Sequence, residues 1–138
     1  MSGFGRTIED ILSRRNFAVV GASRNPDKFG YQVYKSVKRA GYNVFPVNPN
    51  AETIDADQVY PHLNNVPEAI DCVVCVVPPE ITFEAIKDAA RLEISYVWMQ
   101  PGAESQAAVI EALSLGITPV YGGPCIMVEI DRRKAAMA

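Results

Sequence analysis

The chain has 138 residues, a length that holds one domain around one core. Hydrophobic residues make up 49% and charged residues 21%, which excludes the disordered and fibrous classes. Thirteen Lys and Arg against sixteen Asp and Glu leave a formal charge of −3 with no long basic run, so nucleic acid is excluded as a partner. No apolar stretch approaches the roughly 18–20 residues that span a bilayer, and the N-terminus lacks a signal-peptide core, so the expectation is a cytoplasmic protein with no membrane contact.

Short β-branched runs alternate with helical patterns along the whole chain, the mark of a βαβ series. Thr7 and Asp10 resemble a capping pair, and Ile8, Ile11 and Leu12 form an apolar stripe, which predicts a lead-in helix over 7–14. Phe17-Ala18-Val19-Val20-Gly21 reads as a first strand, followed by a polar loop and a helix over 30–40 with Val33, Val37 and Ala40 inward. Gly41 stops that helix. A second strand follows over 42–47, where Pro46 cannot donate a ladder hydrogen bond and predicts irregular pairing.

Residues 48–70 read mostly as loop, with a short edge strand at 58–60 and a helical turn at 66–69. The continuous apolar run over 71–77 predicts a strand buried on both faces. Pro79 suits the first turn of a helix over 79–91, and the series continues with a strand over 95–99, a helix over 103–115, a strand over 117–121 and a terminal helix over 126–133. The expected fold is a single Rossmann-like α/β domain, a doubly wound parallel sheet.

Three cysteines are an odd number outside any dense disulfide framework, so reduced thiols are expected. Cys72-Val73-Val74-Cys75 has redox or zinc-ligand spacing, but residues three apart on a strand point to opposite faces and cannot share a metal or a bridge. His62 is the only histidine, without a partner at metal-ligand spacing, and reads as a loop residue. Glu80 and Glu84 lie one turn apart but read with Lys87 and Asp88 as a solvated helix face. No triad or metal set emerges, and catalysis is not expected.

In open α/β sheets, ligands lie beyond the carboxyl ends of the strands, where strand order reverses. The segments there are 22–30, 48–50, 78–80, 100–102 and 122–125, which hold most of the Gly, Pro and Asn clustering. The first loop ends at a helix start whose free amides and dipole suit an anion; Gly21 permits close approach, and Ser23, Arg24 and Lys28 add a hydroxyl and two charges. Ser23 and Pro26 stand where a dinucleotide fingerprint has its second and third glycines, and Val47-Asn48-Pro49-Asn50 offers no acidic ribose ligand. Both departures disfavour a nicotinamide-dependent oxidoreductase or redox sensor, which remains the alternative.

Gly21-Ala22-Ser23 with Pro26, Lys28 and Gly30, then Gly41-Tyr42-Asn43-Val44, Pro46-Val47-Asn48-Pro49, Val77-Pro78-Pro79, Trp98-Met99-Gln100-Pro101-Gly102 and Cys125 resemble the small stand-alone CoA-binding domain family. That family is similar to the nucleotide-binding domain of succinyl-CoA synthetase. The resemblance covers 15 to about 130 and implies that coenzyme A, or a short acyl-CoA, lies across the strand ends. By the same resemblance Gly21, Ala22, Ser23, Arg24 and Lys28 surround phosphates, with Gly30 at the helix start, and Asn48 and Pro49 sit near the adenosine half. Val77, Pro78 and Pro79 pack against adenine or pantetheine, and Gln100 and Gly102 help close the site. The long pantetheine and the extra ribose phosphate of CoA also suit an apolar trough and a cation.

Cys125 is the one candidate reactive group, since Pro124 suits a first helical turn and a helix N-terminus stabilises a thiolate facing the ligand. Gly122-Gly123-Pro124 departs from the charged residues expected before it. The implied role is a carrier, sensor or partner module, with a protein partner or a homodimer.

Overall fold

The computed structural model describes residues 3–137. In chain order the elements are α1 (Gly5–Leu12), β1 (Asn16–Val20), α2 (Phe29–Arg39), β2 (Asn43–Val47), β3 (Thr53–Ile54), β4 (Asp57–Gln58), β5 (Cys72–Cys75), α3 (Pro79–Arg91), β6 (Tyr96–Met99), α4 (Gln106–Ser114), β7 (Thr118–Val120) and α5 (Ile126–Met137), with a 3₁₀ turn at Leu63–Asn65. Five parallel strands form one sheet in the order β2-β1-β5-β6-β7, while β3 and β4 make a separate hairpin. The expected fold class is the observed one.

Alternation along the strands divides the core into two layers. Phe17 and Val19 of β1, Cys72 and Val74 of β5 and Trp98 of β6 pack beneath α1, α2 and α5. Ala18, Val20, Val73, Cys75, Val97 and Met99 point the other way, under α3 and α4. Cys72 and Cys75 therefore lie on opposite faces, both fully buried, and cannot meet. Burial pushes both thiols up, Cys72 well above its ordinary value and Cys75 to about 12.

Several expectations are corrected. The lead-in helix starts two residues early: Phe4 is its N-cap, and Thr7 lies within the helix rather than capping it. The β1 strand ends at Val20, because Gly21 turns away with φ +97°. The helical turn expected at 66–69 forms instead at Leu63–Asn65, where the Asn65 side-chain oxygen accepts the His62 amide at 3.1 Å. The edge strand expected at 58–60 is divided, with Asp57–Gln58 pairing in the hairpin and Tyr60 bridging to Val47.

Pro46 causes no irregular pairing: β2 runs beside β1 in unbroken register from Asn16↔Asn43 to Val20↔Val47. It is an edge strand, and since Val47 accepts from the Gly21 amide inward, Pro46 faces outward, where its carbonyl accepts the Tyr60 amide. Pro119 stands the same way on the opposite edge, next to Thr118, whose amide bonds inward to Ser95.

The β3–β4 hairpin is clamped onto α2. Tyr31 donates its hydroxyl to Asp55 at 2.6 Å and Tyr34 donates to Asp57 at 2.5 Å, while Lys35 and Lys38 pair with the same carboxylates. The hydrogen bonds from Lys38 and then Tyr34 hold the Asp57 carboxyl below its usual range.

Candidate functional site

Strand order reverses between β1, whose chain continues to β2 on one side, and β5, which pairs on the other. The ends are tied together there: Gly21 donates its amide to the Val47 carbonyl at 3.0 Å and Val76 donates to Val20 at 2.9 Å. Gly21 turns the chain toward α2 against the backbone beyond β5, and a Cβ built on it would fall 2.3 Å from the Val76 oxygen and 2.6 Å from Val77 Cγ1. Gly30, in the first turn of α2, lies so close to Gly21 that a Cβ there would fall 2.0 Å from its carbonyl oxygen. Gly30 thus performs the helix-to-strand packing that the third glycine of a dinucleotide loop performs, from a position the fingerprint spacing does not indicate.

Between the two glycines the loop is a chain of local turns. Ser23 Oγ accepts the Asn25 amide at 3.1 Å, Asn25 Oδ1 accepts the Asp27 amide at 3.0 Å, and the Asn25 carbonyl accepts the Lys28 amide at 3.0 Å. Lys28 is the N-cap of α2 and makes no side-chain cap bond, so the amides opening this helix receive none. Arg24 and Lys28 are exposed, and among the described residues neither has an ion-pair partner. Asn48, just past β2, gives its side-chain amide to the Ala22 carbonyl at 2.8 Å and takes the Asn50 amide on Oδ1 at 2.8 Å, so it fastens this loop to the end of β2.

Two hollows open on either side of Val77 and Pro78. One, of about 450 Å³, is bounded by Gly21, Asn48, Pro49 and Asn50, by His62 and Leu63 of the 3₁₀ turn, and by Ile81, Glu84 and Asp88 of α3. The other, of about 410 Å³, runs from Val77, Pro78 and Pro79 to Pro101, Gly102 and Ala103. The structure therefore brings together Gly21, Asn48, Pro49, Val77 and Pro78 around the first hollow, and Val77, Pro78, Pro79 and Gly102 around the second. Ser23, Arg24 and Lys28 stand on the loop outside both.

Gln100 and Cys125 form a separate arrangement. Gln100 is fully buried; its Oε1 accepts the Ile126 amide at 2.8 Å and its Nε2 donates to Cys125 Sγ at 3.3 Å, which fixes the start of α5 against the end of β6. Gln100 acts there as an internal strut, and Cys125 is half-buried and lines neither hollow. Glu104 draws in the neighbouring loops, accepting the Gly102 amide at 2.8 Å and the Gly122 amide at 3.4 Å.

Sequence reasoning missed the contribution of His62, Glu84 and Asp88 to the first hollow. The signal available was the spacing of Glu80, Glu84 and Asp88, which sets three carboxylates on one stripe of α3. Among the described residues, no group of three or more His, Cys, Asp and Glu side chains is arranged to hold a metal ion, and no helix is long and apolar enough to cross a membrane.

The chain is similar to the ADP-forming acetate–CoA ligase II of Archaeoglobus fulgidus, 31% identical over 86 residues, which are 61% of this chain and 13% of that protein. It is 34% identical over 80 residues to the alpha subunit of the corresponding Pyrococcus furiosus enzyme, covering 57% of this chain and 18% of the subunit. The chain thus spans less than a fifth of the length of these curated relatives. A solved structure of a conserved hypothetical protein from P. furiosus matches at 37% identity with a TM-score of 0.79, over 84% of this chain and 99% of that one. These comparisons give no support to the oxidoreductase alternative. With the model of the CoA binding domain matching residues 15–131, nearly its whole length, the chain belongs to that family.

Proposed function

We propose that the protein binds coenzyme A, or a short acyl-CoA, across the carboxyl ends of β1, β2, β5 and β6, and acts as a carrier, sensor or partner module rather than as a complete enzyme. The observation that carries this reading is the turn at Gly21, pressed against Val76 where strand order reverses and flanked by a hollow on each side of Val77 and Pro78. A ligand with a pyrophosphate between an adenosine arm and a pantetheine arm fits that layout: the uncapped start of α2 with Arg24 and Lys28 takes the pyrophosphate, the hollow beside Asn48 and Pro49 takes the adenosine half, and the apolar trough by Pro79 and Gly102 takes pantetheine. The ligases similar to this chain carry much more polypeptide, one of them in a named alpha subunit, which supports a separate protein partner here.

Thermal unfolding with CoA, acetyl-CoA, NAD, NADP and ATP tests the reading. CoA at about 100 times its dissociation constant adds roughly 2.7 kcal/mol, a rise in Tm of several degrees for a domain of this size. A larger rise with NAD than with CoA would reject the proposal.

The phosphate assignment has its own test. The Arg24→Ala/Lys28→Ala double variant is expected to lose about 1–3 kcal/mol of CoA binding, roughly a five- to 150-fold rise in Kd by calorimetry, with Tm almost unchanged. Unchanged affinity would place the phosphates away from this loop.

A further inference from the structure

We infer that the site does not read the ribose 3′-phosphate of CoA, so that dephospho-CoA binds at least as well as CoA. This rests on the reading above, in which the adenosine half occupies the hollow beside Asn48 and Pro49. Among the described residues, the charged lining of that hollow is Glu84 and Asp88, with His62 as the one other titratable group, and no Lys or Arg side chain contributes. The cations nearest along α3 are already engaged, Lys87 with Glu84 at 3.6 Å and over the Phe83 ring at 4.7 Å, and Arg91 with Asp88. Arg24 and Lys28 belong to the loop at the start of α2 and do not line the hollow.

The Asn48 side chain is committed as well. Asn48 spends its side-chain amide on the Ala22 carbonyl, and its oxygen is taken by the Asn50 amide. A phosphate monoester carries a charge of about −1.5 to −2 at neutral pH. Directed into this hollow it meets two carboxylates and no cation beyond Lys87 and Arg91, which those carboxylates already hold; directed outward it stays hydrated. Neither placement rewards the phosphate. An adenine amino group, by contrast, is a donor that carboxylate and amide oxygens accept. The wall is suited to the base and not to the extra phosphate.

Calorimetry with CoA and dephospho-CoA at about 0.15 M salt, where long-range attraction of the more charged ligand is screened, tests the inference. The expected result is a Kd for dephospho-CoA within threefold of that for CoA, or lower. CoA more than threefold tighter would overturn the inference and leave CoA binding intact, whereas no binding of either ligand would remove the proposed function itself. A second measurement uses Asn50→Lys, which sets a cation at an exposed rim position without touching the core. It is expected to shift the ratio of affinities toward CoA by threefold or more. An unmoved ratio in the folded variant would show that the ribose phosphate lies elsewhere and would also overturn the inference.

Discussion

Gly21→Ala is expected to destabilise the fold by roughly 2–5 kcal/mol, a fall of about 10 °C or more in Tm. Two costs combine. Alanine tolerates the φ of +97° poorly, and its methyl would enter the space held by the Val76 carbonyl oxygen and the Val77 side chain. The carbonyl belongs to backbone just beyond a central strand and cannot rotate aside as a long side chain can. Gly41→Ala separates the two costs, because Gly41 has the same φ of +97° with nothing within 4 Å of a built Cβ. That variant is expected to lose only about 1–2 kcal/mol. Equal losses in the two variants, measured by denaturant unfolding, would show that the backbone beyond β5 yields and that the tight contact contributes nothing.

The second large effect is in thiol chemistry. Cys125 should react with a thiol reagent at least about 100-fold faster than Cys72 or Cys75 in the folded protein, because reagent reaches fully buried groups only through opening of the sheet. Cys72 and Cys75 are fully enclosed, and burial makes their thiolates scarce; Cys125 is half-exposed at the start of α5. Counting modified thiols over time by intact-protein mass spectrometry should give one fast site and two that appear only on unfolding. Bound CoA should slow the fast site if pantetheine runs toward it. Rapid modification of Cys72 or Cys75 would contradict the burial of β5.

Elements whose signals are local were legible from the residues alone. Pro79, followed by Ile81, Ala85, Ile86 and Ala89 at helical period, delimits α3 to the residue, and the β-branched run around Val73 and Val74 marks β5. Residues 48–70 were much less legible, because their conformation depends on partners distant in sequence. The hairpin is held by α2 through Asp55 and Asp57, and the 3₁₀ turn rests Leu63 against the α3 layer. Terminal helices shifted for the same reason: α5 extends to Met137, and its Arg133 bonds Glu9 of α1 at 3.1 Å.

In the candidate site, the strand-end rule pointed to segments that include Asn48, Pro78 and Gly102, and the structure sets these residues around the two hollows. It could not supply Glu84 and Asp88, which reach the first hollow from the flank of a helix rather than from a strand end. The function of Gly30 was hidden too, since its reason is the carbonyl of Gly21 nine residues earlier.

The two edge prolines bear on how the protein behaves when crowded. A sheet edge recruits foreign strands through its row of outward amides and carbonyls. Pro46 and Pro119 each remove an outward donor from the middle of an edge, and the Pro46 carbonyl is already occupied by Tyr60. Each edge strand is also short, five residues in β2 and three in β7. A second molecule approaching either side finds few free groups with which to continue the ladder, so strand addition and fibril seeding at these edges are expected to be disfavoured at high concentration.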